Sequence, residues 1–423
     1  MKRGDSGLYD TLGGENPGAA EDNNTQKELP AGNRRKKLII AAALLLVVIG
    51  GGAAYALTRD NTKTAVTSQS PAPAPEPASP QPQSIEGKYL ISGTMVFDRL
   101  TDTDAGSDLT QPFRYFDTLG TYDTMIADLE CPITSSSYHS VKGQDNPRFN
   151  CSPKWIPELK KYFGVIKLAG NHTYDMGADG FTETVKRLQD AGIQTVGHYN
   201  PHIDKDNCRI VGLPVRVENS DKKVSKATLP VAICAFNYKI LFAPEPGEIE
   251  AIQKYAKIMP VFGLLQSGAE YIYTATPEKI KYARQMIDNG ADFVIGNGAH
   301  GVQNSEVYKD KLIIYSLGNF VFDQVDPETT RGLSMAVTAS AKYDDNLSKW
   351  LALGSKCDIT ARDDDCLKTA QDEGLSKIDL KLKFQPVVTS GGAHKITKRA
   401  DAAQQKAIEQ RLNWAALAKQ FGQ

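Results

Sequence analysis

Beyond residue 87 the chain alternates between short apolar runs and amphipathic segments. Tyr89–Phe97, Thr124–Leu129, Gly164–Ala169, Val231–Phe236, Pro260–Leu265, Asp292–Gly296 and Leu312–Ser316 are mainly apolar and of strand length, and they read as buried strands. Phe181–Ala191 and Pro277–Asn289 carry their apolar residues at helical spacing. The second is well punctuated, with Thr276 to cap it, Pro277 at the first helical position and Gly290 for the left-handed exit. Such alternation predicts α/β layers, with helices packed over a central sheet. Leu333–Tyr343 and Ile378–Val388 read as strands with no helix between them, which adds an antiparallel portion to the same domain. Ala402–Phe421 reads as one amphipathic helix docked on that domain, and the chain shows no internal repeat.

The N-terminal pattern is different. Leu38–Leu57 is uncharged and apolar on every side, and at ~1.5 Å per residue it can cross ~30 Å of hydrocarbon. A core helix would keep a polar face. Arg34, Arg35, Lys36 and Lys37 precede the run, and such a cluster stays cytoplasmic. The expected topology is single-pass in the cell membrane, with the N-terminus inside and the chain after Thr58 outside. Ala54-Tyr55-Ala56 imitates a cleavage site, but the long polar leader and the length of the apolar run favour an uncleaved anchor. Residues 1–33 are too polar to offset ordering entropy and are expected to form a disordered cytoplasmic tail. Residues 58–86 include SPAPAPEPASPQPQ, whose prolines favour extended polyproline II, and read as an extracellular tether. That leaves 87–423 as one exported domain.

Charge narrows the partners. Lys and Arg number 49 against 50 Asp and Glu, without the basic excess of a nucleic-acid binder. The six cysteines all lie beyond the tether, an even count compatible with disulfides in an exported domain. Cys357 and Cys366 bracket a short acidic loop and are the pair expected first. The pairing of Cys131, Cys151, Cys208 and Cys234 is open at this level.

Candidate chemistry gathers where strands end, which is where ligands collect in α/β sheets. LAGNHTYDMG, Leu168–Gly177, runs an apolar strand into Asn171 and His172, with Asp175 following. An amide oxygen and an imidazole nitrogen together suit a divalent ion. In ADLECPIT, Ala127–Thr134, Asp128 and Glu130 lie two apart and project to one side of a strand end. Paired carboxylates bind a cation, share a proton or sit in solvent. DFVIGNGAHGVQ, Asp292–Gln303, feeds a Gly-rich turn bearing His300, and IIYSLGNFVFDQ, Ile313–Gln324, closes on Asn319 and Asp323. Turn chemistry explains each alone. Four strand ends in order, each presenting Asn, His or carboxylate, predict one convergent site. His198 and His202 read as solvated loop residues, and Asp363–Asp365 as a solvated tip without the alternating ligands of a calcium loop.

In order and spacing, ADLECPIT, KLAGNHTYDMGADGF, GIQTVGH, GADFVIGNGAHGVQ and YSLGNFVFD resemble the poly-γ-glutamate capsule-biosynthesis (CapA) family over roughly Tyr89–Leu333. The resemblance implies a calcineurin-like metallophosphoesterase sandwich, layered α/β/β/α, behind one transmembrane helix. It also implies a role in making or exporting an anionic surface polymer with membrane-bound synthase components. Glu130, Asn171, His172, His300, Asn319 and Asp323 match the family's motifs, and Glu270-Tyr271 match the end of its His-Trp-Gly-x-Glu-Tyr block. Asp128 and Gly170 stand where two motif asparagines are expected. Three expected ligands are replaced: the aspartate of an early Gly-Asp by Thr94, the histidine of His-Trp-Gly by Gln266, and the first histidine of Gly-x-His-Pro-His by Gly298.

The resemblance therefore implies a metal set of Glu130, Asn171, His172 and His300, with His172 and His300 as the catalytic pair. Asp128, Asp175, Glu270, Asn319 and Asp323 support it, with Asp98 as a further oxygen donor. Such a set is expected to hold one Zn or Mn ion weakly, or none, because two divalent ions need more donors and a bridging group. Two functions follow as expectations: a capsule-polymer factor with weak or absent metal catalysis, and, as the alternative, a mononuclear phosphoesterase-like hydrolase acting on envelope substrates.

Overall fold

A fourteen-residue strand, β1 (Pro82–Met95), organises the computed structural model. The structure describes residues 80–421 apart from 142, 144–146, 204–206, 240–241, 355, 358–362 and 392–395. The first half of β1 alternates between buried and partly exposed side chains; from Tyr89 onward every residue is buried. The change follows from its neighbours. On one edge it pairs antiparallel with β12 (Arg331–Lys342) over Ser84–Ile91, then parallel with β11 (Asn319–Val321) at Thr94 and Met95. On the other it pairs antiparallel with β5 (Cys208–Asn219) over Pro82–Glu86, then parallel with β2 (Thr124–Leu129) over Tyr89–Met95.

The sheet therefore forks at β1. One branch continues from β2 through β3 (Phe163–Lys167) to β4 (Gln194–Val196), all parallel. The other continues from β5 through β6 (Val224–Tyr238), β7 (Val261–Ser267), β8 (Phe293–Asn297) and β10 (Lys311–Ile314) to β9 (Ser305–Tyr308). Beyond β12 lie β13 (Lys381–Gly391) and β14 (Thr397–Arg399). Strand alternation sends successive side chains to opposite faces. Ile126 and Val165 enter the core that also contains residues of β5–β8, while Met125, Ala127 and Ile166 enter a second core with Trp155 and Leu188 of the helical segments. The result is a mixed α/β, sheet-rich fold consistent with a phosphoesterase-like sandwich.

The strands read from the sequence recur, though β1 and β6 begin well before Tyr89 and Val231. Two helices, Asp345–Gly354 and Asp363–Asp372, stand between β12 and β13 where none is expected. The helix Pro277–Asp288 starts as expected, Thr276 Oγ1 accepting the Lys279 amide. Several expectations differ. β1 begins at Pro82, within the stretch whose prolines suggested a tether, because Ser84–Glu86 find partners on both edges. β5 escapes a reading from pattern because Arg209, Arg216 and Glu218 interrupt its apolar residues, and only one of its faces is fully buried over its second half. The C-terminal segment is two helices, Ala402–Arg411 and Trp414–Gln420, broken where Asn413 adopts φ 52° and Ser305 Oγ donates to the Leu412 carbonyl at 2.7 Å. The segment Leu38–Leu57 and the tail before it lie outside the described residues; among those described, no helix is long and apolar enough to cross a membrane.

Three disulfides join Cys131 to Cys151, Cys208 to Cys234 and Cys357 to Cys366, the last being the pair expected first. Cys131–Cys151 follows Glu130 directly and closes a loop of 20 residues. Cross-linking a loop of that size restricts the unfolded chain by about 3 kcal/mol. Replacing both cysteines with alanine should lower stability by about that amount in a urea titration of the oxidised protein; an unchanged midpoint would contradict it.

Candidate functional site

Parallel pairing sets Thr94 of β1 beside Asp128 of β2, and Asp128 beside Lys167 of β3. On the other branch it sets Gln266 of β7 beside Asn297 of β8. A hydrogen-bonded chain then ties the branches together. Thr94 Oγ1 donates to Asp128 Oδ2 (3.2 Å), and Lys167 Nζ donates to Asp128 Oδ1 (2.6 Å) and Gln266 Oε1 (3.2 Å). Gln266 Nε2 completes it by donating to Glu130 Oε1 at 3.1 Å. All five side chains are buried.

A second chain runs through the loops beyond β6, β7 and β8. Lys239 Nζ donates to Glu270 Oε1 (2.8 Å) and to the Gly298 carbonyl (3.1 Å). Glu270 Oε1 lies 3.7 Å from His300 Nε2, and His300 Nδ1 meets Asn319 Oδ1 at 3.0 Å. Gly298 itself sits at φ 105°, where a β-carbon would stand 3.0 Å from the Ser267 carbonyl oxygen and 3.5 Å from Gln266 Cδ. Any larger side chain there would be strained by its backbone and crowded by β7.

His172 lies within the electrostatic reach of both chains, through Glu130 and Lys239. Its Nδ1 is 2.8 Å from Asp175 Oδ2, which also accepts the Phe149 amide at 2.7 Å. Phe149 packs edge-on against His172, and Phe322 packs at a tilt against His300. The Arg99 guanidinium lies 4.9 Å from the Phe149 ring and 5.3 Å from the Phe322 ring. Glu130, His172, His300 and Asn319 thus belong to one corner of the fold. Asn171 enters it beside Gly170, where a β-carbon would lie 3.9 Å from Glu130 Cγ. Arg99, Tyr271 and His300 around this corner all adopt positive φ, 52°, 58° and 59°, which costs non-glycine residues of order 1 kcal/mol or more each.

Some side chains have other roles than expected. Asp98 caps the helix Arg99–Ala105 and accepts the Ser140 and Asn150 amides, so it serves backbone donors. Asp323 binds the Arg99 guanidinium and takes the Leu100 amide at 3.4 Å, which sets the loop after β11 against that helix. His198 is buried, with its Nδ1 accepting the Asn200 amide at 3.0 Å, and is not a solvated loop residue. His202 is half-buried against Glu248 at 2.5 Å, and Glu248 is also held by Tyr238 Oη at 3.0 Å.

Burial raises the Asp128 pKa, the Lys167 charge opposes that rise and the Glu130 charge adds to it. Burial would likewise raise Glu270, but the nearby His300 imidazole and the Lys239 charge outweigh it and hold the carboxyl well below its usual range. For His172, burial works downward and the Asp175 carboxylate outweighs it, so the pKa stands above its ordinary value. Lys279, whose Nζ donates to the Asn297 carbonyl at 2.8 Å, is pushed well below the ordinary lysine range by burial and then by the Lys239 and Lys167 charges.

These residues do not fit a resident divalent ion. Lys167 places an ammonium on the oxygens of Asp128 and Gln266, and Lys239 places another on Glu270. Among the described residues, His, Asp or Glu donors gather in threes within 4.8 Å at His202, Glu245 and Glu248, not at the strand-end motifs. Sequence reasoning passes over Lys167, Lys239 and Arg99. Lys167 does leave a signal: a lysine inside the apolar run GVIKLA is anomalous unless it is paired.

The profile of the bacterial capsule synthesis protein family PGA_cap matches residues 81–219 and 247–324, and the chain belongs to that family. The match takes in both hydrogen-bonded chains except Lys239, which falls between its two segments. The capsule biosynthesis protein CapA of Bacillus anthracis is 31% identical over 217 residues, covering 48% of this chain and 51% of the relative. The PGA biosynthesis protein CapA of Bacillus subtilis (strain 168) is 31% identical over 225 residues, covering 48% and 54%. A probable polyglutamine synthesis accessory protein of Mycobacterium tuberculosis is 28% identical over 214 residues, covering 48% and 56%. The chain spans about half the length of the curated relatives it matches.

The buried charges can be tested by substitution. Lys167→Met leaves Asp128 buried without its cation and should cost about 3–5 kcal/mol in chemical denaturation, and adding Asp128→Asn should recover part of the loss. Glu270, depressed in the folded state, contributes stability that is full above its unfolded pKa of about 4.3 and is lost as pH falls. Glu270→Gln should therefore be less stable than the parent at pH 7 and lose less on acidification below about pH 4.3; parallel acid-unfolding profiles would refute this.

Proposed function

We propose that the chain is a membrane-anchored, extracytoplasmic factor in the biosynthesis or export of an anionic surface polymer of the poly-γ-glutamate type. On this reading the domain is a calcineurin-like metallophosphoesterase sandwich, layered α/β/β/α, that works with membrane-bound synthase components and acts without metal-assisted hydrolysis. Family membership and the relatives' names support the capsule role. The uncharged run Leu38–Leu57 behind Arg34–Lys37 supports the anchor.

The observation that carries the non-hydrolytic reading is the buried Lys167 ammonium, 2.6 Å from Asp128 Oδ1 and 3.2 Å from Gln266 Oε1. A fixed ammonium supplies charge but cannot bind and acidify a water as a divalent ion does. One observation favours the alternative of a mononuclear hydrolase: Glu130 Oε2 and Asn171 Oδ1 are buried without hydrogen-bond partners, as free ligand atoms would be.

The two readings separate on metal content. Full-length protein in detergent, equilibrated with Zn²⁺ or Mn²⁺ and desalted, should retain only trace metal and should not turn over bis-p-nitrophenyl phosphate. Stoichiometric metal that disappears in Glu130→Ala or His172→Ala would establish the alternative. The capsule role is tested in the source bacterium: deleting the gene should reduce the glutamate released by acid hydrolysis of washed cells, and an unchanged yield would reject that role.

A further inference from the structure

At the corner a single buried ammonium, Lys167, joins the Asp128 carboxylate to the Gln266 amide, and Gln266 Nε2 donates in turn to Glu130. Nothing in strand packing requires a lysine at 167. It is one of the largest fully buried side chains, in a strand whose neighbours Val165 and Ile166 are apolar. A buried charge is tolerated only where its partners repay the lost hydration. Lys167 meets that requirement by pointing its Nζ at Asp128 Oδ1 and at Gln266 Oε1, the latter on the residue that stands where the family resemblance expects a ligating histidine. Two more oxygen atoms at the corner, Glu130 Oε2 and Asn171 Oδ1, are buried and unpartnered, so the ammonium satisfies only part of the oxygen set.

The replacements visible in the sequence point the same way. An aspartate, a histidine and a histidine expected from the family resemblance are Thr94, Gln266 and Gly298. Thr94 and Gln266 hydrogen-bond into the Lys167 network, and Gly298 gives its carbonyl to Lys239. Two imidazole donors are gone, the lost aspartate is offset by Asp128 in place of an asparagine, and Asp128 faces a cation of single charge.

We infer that Lys167 is a covalently attached substitute for a divalent ion: its ammonium takes the place and part of the charge of a metal between Asp128 and Gln266, one hydrogen bond from Glu130, and removing it uncovers a latent metal site. The inference rests on the non-hydrolytic reading above and adds the residue that enforces it. Lys167→Ala would free Asp128 Oδ1 and Gln266 Oε1 at the corner that also contains the unpartnered Glu130 Oε2 and Asn171 Oδ1. Two carboxylate and two amide oxygens form a hard donor set, which suits Mn²⁺.

The test compares full-length wild type, Lys167→Ala and Lys167→Gln, each purified in detergent with Mn²⁺ present. Glutamine is neutral but long enough to keep the space filled. The alanine variant should retain roughly one Mn²⁺ per chain after desalting and melt at a higher temperature with Mn²⁺ than with EDTA. Wild type and the glutamine variant should hold trace metal and show no such shift, and adding Glu130→Gln to Lys167→Ala should abolish the gain. A folded alanine variant that stays metal-free beside a metal-free wild type overturns this inference and leaves the functional reading intact. An alanine variant that cannot be recovered folded even with Mn²⁺, or equal loading of the alanine and glutamine variants, also overturns it. Stoichiometric metal on the wild type overturns the functional reading as well.

Discussion

The buried ion pair between Lys167 and Asp128 constrains everything else at this corner. Both side chains are almost wholly excluded from water, and dehydrating two such charges costs several kcal/mol per ion unless the contact geometry recovers it. Recovery requires β2 and β3 to stay in register, because Asp128 and Lys167 are paired across that ladder. It also requires β7 of the other branch to bring Gln266 within reach of the same ammonium. One side chain therefore links the two branches that separate at β1, beside the hydrophobic core they share.

The surroundings rigidify the arrangement. Asp98 gathers three backbone amides from three segments, and the Cys131–Cys151 disulfide ties the chain just after Glu130 to the loop that presents Phe149. Arg99, Tyr271 and His300 hold left-handed backbone conformations that non-glycine residues adopt only when their contacts over-determine them. For His300 those contacts are Asn319 on one ring nitrogen and Glu270 near the other. Strain of this kind concentrates where a side chain must be aimed.

The strands and the site were legible to different degrees, for physical reasons. Buried parallel strands are near-continuous apolar runs, so β2, β7 and β8 could be read directly. β5 could not, because a half-exposed strand carries Arg and Glu on its open face. Asn413 could not be singled out either, since a lone asparagine inside an amphipathic pattern does not announce a left-handed turn. Strand-end motifs pointed to Glu130, His172 and His300 because each follows an apolar run. Lys167 was hidden by the same logic: attention to polar residues after strands passes over a charge at a strand's own end. Lys239 does follow a strand, and for both only the partner on another element gives the charge meaning.

Replacing a divalent ion by an ammonium changes what such a corner can do. A metal ion exchanges ligands, polarises a bound oxygen and lowers the pKa of water; an ammonium donates three hydrogen bonds and does none of these. It also removes dependence on metal supply, since the cation comes with the chain. Other carboxylates around the corner are also paired with basic side chains of the protein: Lys239 faces Glu270, Arg99 faces Asp323 and His172 faces Asp175. Glu130 is the exception, with one oxygen on the neutral Gln266 amide and the other unpartnered. A divalent ion entering here would find one uncommitted carboxylate and would have to displace fixed cations from the rest. A single carboxylate with neutral amides is a poor return for dehydrating such an ion. That cost, set against a cation already in place, is the physical content of the non-hydrolytic reading.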